Sequence, residues 1–202
     1  MPELDIRPDQ SIELLKALHI LTRDGKMNQD SRRKLKQVYH LLQFIEPLLQ
    51  QLAQYGHLIS LVDHGAGKSY LGFMLYDLFF KQRNDESHIY SIETRPELVD
   101  RAKQLANTLA FDRMSFLPLS VAESMNSPLL PTTIDMVTAL HACDTATDDA
   151  ITFALKKQAR YIVLVPCCQA ELASVLKKLK SKSLARDALT EIDRKSTRLN
   201  SS

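Results

Sequence analysis

Acidic residues and glycines follow two apolar segments of the sequence at a spacing typical of a site for a nucleotide-like ligand. Asp63, Gly65 and Gly67 come directly after one apolar run, and Glu93 ends a second. Because glycine lacks a Cβ atom, the chain can turn sharply there and a ligand can approach the backbone closely. A helix that starts after such a turn directs free N–H groups and the positive end of its dipole at the ligand. We refer to residues 63–67 as the glycine turn.

Two common ligands of such turns conflict with neighbouring residues. A P-loop that ended at the Gly67-Lys68-Ser69 sequence would require a glycine five residues before Gly67, where this chain has Val62 inside the predicted strand. A dinucleotide fingerprint would require a third glycine where this chain has Tyr70, whose ring opposes close packing of a pyrophosphate. A nucleoside triphosphate site is therefore excluded by the length of the loop, and a dinucleotide site is disfavoured.

The charges at the glycine turn favour S-adenosyl-L-methionine instead. Asp63 would repel the phosphates of a dinucleotide, whereas the sulfonium and ammonium groups of S-adenosylmethionine attract a carboxylate. Glu93 is placed to accept hydrogen bonds from both ribose hydroxyls, and the residues after the third predicted strand flank the adenine. The predicted cofactor-binding residues are Asp63, His64, Gly65, Ala66, Gly67, Glu93, Val121 and Ala122.

Three segments resemble motifs of class I S-adenosylmethionine-dependent methyltransferases: residues 63–71, 140–150 and 165–169. They are similar to those of a eukaryotic family of tRNA ribose 2′-O-methyltransferases, which has a G-A-G-K turn, a H-x-C-G-x-A-T-D stretch and a C-C-H-H stretch. This chain differs by Asp144 in place of a glycine and by Gln169-Ala170 in place of two histidines. The resemblance implies a methyltransferase, with RNA (tRNA or rRNA) slightly favoured as the methyl acceptor.

Two residues after the fourth predicted strand are candidates for catalysis. Methyl transfer is an in-line displacement, and a hydroxyl acceptor must also lose its proton. His141 has a suitable ordinary pKa for a general base, and Asp144 lies three residues further on. The alternatives are that His141 lines the cofactor pocket and that Asp144 caps the next helix.

The elements that position these residues alternate between strands and helices, which predicts an α/β doubly wound, mostly parallel, Rossmann-like sheet. The predicted strands are 58–62, 88–93, 114–119, 134–140 and 161–165. The predicted helices are 9–23, 30–54 with a kink or division at Pro47, 68–81, 94–109, a short turn at 121–125, 145–158 and 169–181. An apparent capping box at Thr94–Glu97 opens the fourth of these helices.

The predicted organisation has three parts: an N-terminal helical extension (1–56), a methyltransferase domain (57–192) and a tail (193–202). The tail resembles the in-frame translation of a sequencing adapter, and we expect a C-terminally truncated domain that lacks its last two strands. Exposed apolar surface and poor solubility would follow from such an incomplete sheet. The chain carries a formal net charge of +2, and without the tail its basic and acidic side chains balance.

A basic stretch in the extension contains Arg32, Arg33, Lys34 and Lys36. A solvated helix face is the more common meaning of such a stretch, and the alternative is a binding surface for RNA phosphates, which only its position ahead of the cofactor domain supports. The composition is that of an ordinary globular protein, with no membrane-spanning run and no metal-ligand spacing among its three cysteines. We therefore expect a cytoplasmic protein with neither membrane nor metal. A non-catalytic subunit with this fold and an NAD-dependent oxidoreductase remain as alternative functions.

Overall fold

The computed structural model describes residues 6–54, 56–140 and 145–165 of the 202-residue chain. Five parallel strands form one sheet in the order β3-β2-β1-β4-β5, which confirms the predicted doubly wound architecture. The strands are β1 Ser60–His64, β2 His88–Ile92, β3 Met114–Leu117, β4 Met136–Leu140 and β5 Tyr161–Val165. The helices are α1 Ile12–Ala17, α2 Gln29–Ala53, α3 Tyr70–Leu78, α4 Pro96–Thr108, α5 Val121–Ser124 and α6 Thr145–Lys156, with a 3-10 turn at Phe80–Gln82.

The first strand begins and ends two residues later than the sequence predicts. Asp63 and His64 belong to β1 because they continue its ladder, with Asp63 paired to Ser91 and His64 paired to Ile92 of β2. Leu58 lies before the strand and is 53% exposed. Apolar character alone therefore placed the strand too early, since its last two positions are polar but buried.

Two predictions about helix ends were wrong, and one about a helix interior was wrong in part. The helix predicted at 9–23 is only the short α1, because the chain turns into a left-handed conformation at His19, whose φ is 56°. Helix α2 is not divided at Pro47 but continues through it, and the kink stays a prediction. Pro47 is exposed, as is Gln43, whose carbonyl loses its N–H partner and can bind water. No capping box opens α4: its N-cap is Arg95, and the Thr94 hydroxyl donates to Glu93 instead.

The sheet buries a separate apolar cluster on each of its faces. On one face the leucines of α1 and α2 pack with Phe73 and Met74 of α3 and with Leu61 of β1. On the other face Val62 packs with Phe153 of α6. The first cluster thus includes both the N-terminal helices and the sheet. The boundary at residue 56 stays a prediction.

Polar contacts also connect α1 to α3. The Ser11 backbone N–H donates to Asp77 Oδ2 at 2.8 Å, and the Tyr70 hydroxyl donates to the Leu18 carbonyl at 2.7 Å. These bonds hold the N-terminal segment against the start and the end of α3.

Among the described helices, none is long and apolar enough to cross a membrane.

Candidate functional site

A cavity of about 630 Å³ lies between the glycine turn and α2, and we refer to it as the cofactor cavity. Its volume lies within the range of about 300–1,000 Å³ that is typical of small-molecule sites. Its lining residues come from α2 and the segment before it, from the glycine turn and the start of α3, and from the ends of β4 and β5. They are Ile20, Lys34, Gln37, Val38, His40, Leu41, Asp63, Gly65, Ala66, Lys68, Tyr70, Leu71, Leu140 and Val165.

The glycine turn has the backbone conformation that its sequence predicts. Gly65 and Gly67 have φ values of +63° and +58°, in the left-handed region that glycine adopts without strain. A Cβ atom at Gly65 would meet nothing within 4 Å, so the turn conformation, not lack of space, requires glycine there. The backbone beside Gly65 is therefore open to a ligand.

Gly72 in α3 is required for a different reason. A Cβ atom at this position would lie 2.6 Å from Ser69 Oγ and 3.3 Å from Ser91 Oγ, and these two hydroxyls are themselves hydrogen-bonded at 2.8 Å. The missing side chain lets the first turn of α3 approach β2 closely. This is the helix–strand packing role that a third glycine fulfils in nucleotide-binding folds.

Glu93 lies directly after β2, and its carboxylate already accepts several hydrogen bonds. Oε2 accepts the Gly67 backbone N–H at 2.8 Å and Arg95 Nη2 at 3.1 Å, while Oε1 accepts Arg95 Nε at 2.9 Å and the Arg95 backbone N–H at 3.1 Å. The hydrogen bonds from Arg95 lower the pKa of Glu93 to about 2, so the carboxylate is ionised. Ribose hydroxyls can use the predicted acceptor only when the Arg95 guanidinium leaves it. The Arg95 side chain is 58% exposed and can move into solvent.

Asp63 lines the cofactor cavity but is almost completely buried. Its Oδ1 accepts a hydrogen bond from the Thr138 hydroxyl at 2.8 Å, and burial raises its pKa to about 7 although that hydrogen bond opposes the rise. A bound cation would favour the ionised form of Asp63. The negative charge of Asp63, on which the choice of S-adenosylmethionine depended, is therefore itself affected by whether a cationic ligand is bound.

The other predicted cofactor residues occupy different places. The His64 ring packs edge-on against Phe153 at 4.7 Å between ring centroids, and its Nε2 lies 3.4 Å from Ser124 Oγ. Burial lowers the pKa of His64 to about 4, with Asp149 acting in the opposite direction. The side chain thus lies under α6 and does not line the cofactor cavity.

Ala66 lines the cavity, whereas Val121 and Ala122 form the first turn of α5 beyond β3 and do not line it. Their proposed contact with adenine stays a prediction. His141 and Asp144 lie outside the described residues, so their proposed catalytic roles also stay predictions. Leu140, which directly precedes that segment, lines the cavity. Within the described part of the chain, no group of three or more His, Cys, Asp or Glu residues could hold a metal ion.

The sequence analysis did not identify Thr138 and Arg95 as hydrogen-bond partners of the two acids, or helix α2 as one wall of the cavity. Thr138 bonds to Asp63 because the two residues are paired in register between β4 and β1, and a sequence does not reveal register. Arg95 was interpreted as part of a helix start. The helix at 30–54 was predicted, but its prediction could not show that Val38 and Leu41 line a cavity.

A family model described as a methyltransferase domain matches residues 33–175, which is most of the chain. The chain therefore belongs to this methyltransferase-domain family. Together with the doubly wound sheet, the match confirms the predicted class, an S-adenosylmethionine-dependent methyltransferase domain, with S-adenosylmethionine as its cofactor. The closer relation to tRNA ribose methyltransferases stays a prediction.

Several solved structures of methyltransferases are similar to this chain at low sequence identity. A SAM-dependent methyltransferase from Aquifex aeolicus is 19% identical with a TM-score of 0.43, and the match covers 60% of this chain and 62% of that one. Magnesium protoporphyrin IX methyltransferase from Synechocystis PCC 6803 with bound SAH is 19% identical with a TM-score of 0.48, covering 84% and 74%. The chain thus spans less than two thirds of the length of the Aquifex protein. A comparison with curated protein sequences finds no match.

Proposed function

We propose that this chain transfers the methyl group of S-adenosylmethionine to RNA. The observation that carries the proposal is the cofactor cavity, which has the glycine turn on one side and Lys34, from the basic stretch of α2, on the other. A cofactor on the turn and an anionic acceptor held by α2 would meet within one enclosed space.

The residues in and beside the cavity fit the cofactor. Gly65 leaves its backbone open to close approach, and Asp63 offers a carboxylate to the cationic groups. Glu93 does not line the cavity, but it accepts the Gly67 backbone N–H of the glycine turn and offers its carboxylate to the ribose once Arg95 has left. Bound S-adenosylmethionine supplies an electrophilic methyl group on its sulfonium. The chain's own residues orient the reactants and exclude water from this methyl group.

The walls of the cavity suit a nucleobase or a ribose ring of the acceptor. Val38 and Leu41 of α2 face Leu140 and Val165 at the ends of β4 and β5 across the space. Apolar walls of this kind bind a ring and leave orientation to a few polar groups. An acceptor nucleotide would leave its base stack to enter the cavity.

The basic stretch that opens α2 supports a polyanionic acceptor. Arg33, Lys34 and Lys36 are exposed, and Arg33 makes only a loose pair with Asp30, at 3.8 Å between two highly exposed groups. Pairs of this kind contribute little, so Arg33 remains able to contact phosphates.

The cytoplasmic location inferred from the cysteines stays a prediction.

Transfer of tritium from methyl-labelled S-adenosylmethionine tests this function. The protein is incubated with total RNA, and we expect label that ribonuclease removes and protease does not. Lys34→Gln should reduce the labelling severalfold, whereas Lys103→Gln, an equal loss of charge on exposed α4 surface away from the cavity, should not.

Label in the protein or small-molecule fraction alone would contradict RNA as acceptor while leaving methyl transfer intact. Binding of S-adenosylhomocysteine without transfer to any fraction would instead favour the non-catalytic subunit. No binding of S-adenosylhomocysteine would overturn the proposal as a whole.

A further inference from the structure

A second cavity of about 200 Å³ adjoins the cofactor cavity, and we refer to it as the side cavity. It lies between the end of α1, the start of α3 and one face of α4. Its lining residues are Ala17, Leu18, His19, Lys68, Tyr70, Phe73, Leu98, Arg101, Ala102 and Leu105. Lys68 and Tyr70 line both cavities, so the two spaces are neighbours on either side of these residues.

Three basic side chains from three different segments converge on the side cavity. His19 follows α1, Lys68 follows the glycine turn, and Arg101 lies on α4. No acidic residue lines the cavity among the residues that the structure describes. None of the three side chains makes an ion pair or a hydrogen bond with another residue that the structure describes. The positive charges of Lys68 and Arg101 are therefore not neutralised by the described part of the protein, in contrast to Arg83 and Arg113, which both contact Asp85.

Hydrogen bonds and packing hold the backbone and the aromatic groups around the side cavity, whereas the His19, Lys68 and Arg101 side chains are exposed. The His19 carbonyl accepts a hydrogen bond from the Ser31 hydroxyl at 3.3 Å, which ties the segment after α1 to the start of α2. Tyr70 donates its hydroxyl to the Leu18 carbonyl, so its ring stands as a wall between the two cavities. Phe73 closes the floor and is completely buried. The side cavity thus combines an apolar floor with a cationic rim.

We propose that the side cavity binds a backbone phosphate of the acceptor RNA, on a nucleotide next to the one that enters the cofactor cavity. This inference rests on the proposed function. Arg101 offers a planar fork of donors that matches phosphate oxygens, and Lys68 adds a point charge between the two cavities. Such contacts fix the register of a nucleic acid without reading its sequence. The side cavity would therefore select which nucleotide reaches the methyl group.

The salt dependence of RNA binding tests this site. A fluorescein-labelled single-stranded RNA is titrated with the full-length protein at several sodium chloride concentrations. Each lost phosphate contact should reduce the slope of log K against log salt concentration by about 0.7 for single strands. We expect this reduction, with weaker binding at low salt, for Arg101→Gln and for Lys68→Gln.

Lys103→Gln is the matched control, since it removes the same charge two residues from Arg101 on α4 and does not line either cavity. Equal slopes for the Arg101 and Lys103 variants, with RNA still bound by the wild type, would overturn the side cavity and leave the proposed function standing. A wild type that binds no RNA would overturn both. Thermal melting of each variant shows whether it is folded.

Discussion

At the scale of single residues, Glu93, which is predicted to bind the ribose, is the least available group of the site. It is ionised and lies at the end of its strand, yet Arg95 occupies both of its oxygens. The guanidinium also lies 3.8 Å from the position that a Cβ atom at Gly67 would take, which places it directly over the glycine turn. A cofactor ribose bound to Glu93, as predicted, would therefore compete with Arg95 for the same carboxylate and the same space.

Arg95→Gln should bind S-adenosylhomocysteine more tightly than the wild type. The Arg95 side chain is 58% exposed and the Glu93 side chain only 7%, and removal of the guanidinium frees both carboxylate oxygens, so Kd should fall severalfold. Isothermal titration measures it. Lys103→Gln, which removes a positive charge elsewhere on α4, is the control and should leave Kd unchanged. Weaker binding by Arg95→Gln would mean that the guanidinium contacts the cofactor.

At the scale of elements, the fit of α3 against β2 positions the glycine turn. The helix begins after Ser69, whose φ of 53° is left-handed, and its first turn contacts β2 through the Ser69–Ser91 hydrogen bond. Gly72 permits this approach. A displacement of α3 would carry the turn and the lining residues Tyr70 and Leu71 with it.

Gly72→Ala should lower the free energy of unfolding by about 1–3 kcal/mol, because its Cβ atom overlaps Ser69 Oγ, although alanine is the better helix former. Chemical denaturation with urea measures the change. Ser69→Ala removes the overlapping atom, so the double variant should lose less stability than the sum of the two single variants. Additive losses would show that the overlap is not the cause.

The sequence revealed the elements but not their contacts. Apolar runs were sufficient for the sheet, and the turn at Gly65 and Gly67 together with the acids Asp63 and Glu93 was sufficient for the cofactor, since all of these features depend on local residue types. The Thr138 contact to Asp63 depends on strand register, and the Arg95 contact to Glu93 depends on a side-chain rotamer. Local sequence determines neither.

At the scale of the whole molecule, the cofactor cavity depends on packing between the N-terminal helices and the sheet. Helix α2 supplies one wall, and its buried leucines share a cluster with Leu61 and Phe73 of the sheet and α3. The family match begins at residue 33, inside α2, so the family domain itself includes most of that wall. Two ionisable groups at the end of β1, Asp63 and His64, are buried in this packing, so the free energy of unfolding should depend on pH.

Asp63 and His64 should change the global stability with pH in opposite directions. The pKa of Asp63 is raised from 3.8 to about 7, so the folded state retains a proton that the unfolded state has lost, and the free energy of unfolding falls as pH rises through this window. The pKa of His64 is lowered from 6.5 to about 4, so its contribution is lost as pH falls from 6.5 towards 4.

Urea denaturation of Asp63→Asn and His64→Gln at several pH values separates the two groups. Relative to the wild type, Asp63→Asn should gain stability as pH rises from 4 to 7, by at most about 1.4 kcal/mol per pH unit, and then level off. His64→Gln should gain relative stability as pH falls from 6.5 to 4. Comparing each variant with the wild type cancels the titration of all other groups. A pH-independent difference for Asp63→Asn would contradict burial of this carboxyl at the cofactor cavity, because an exposed carboxyl has the same pKa in the folded and unfolded states.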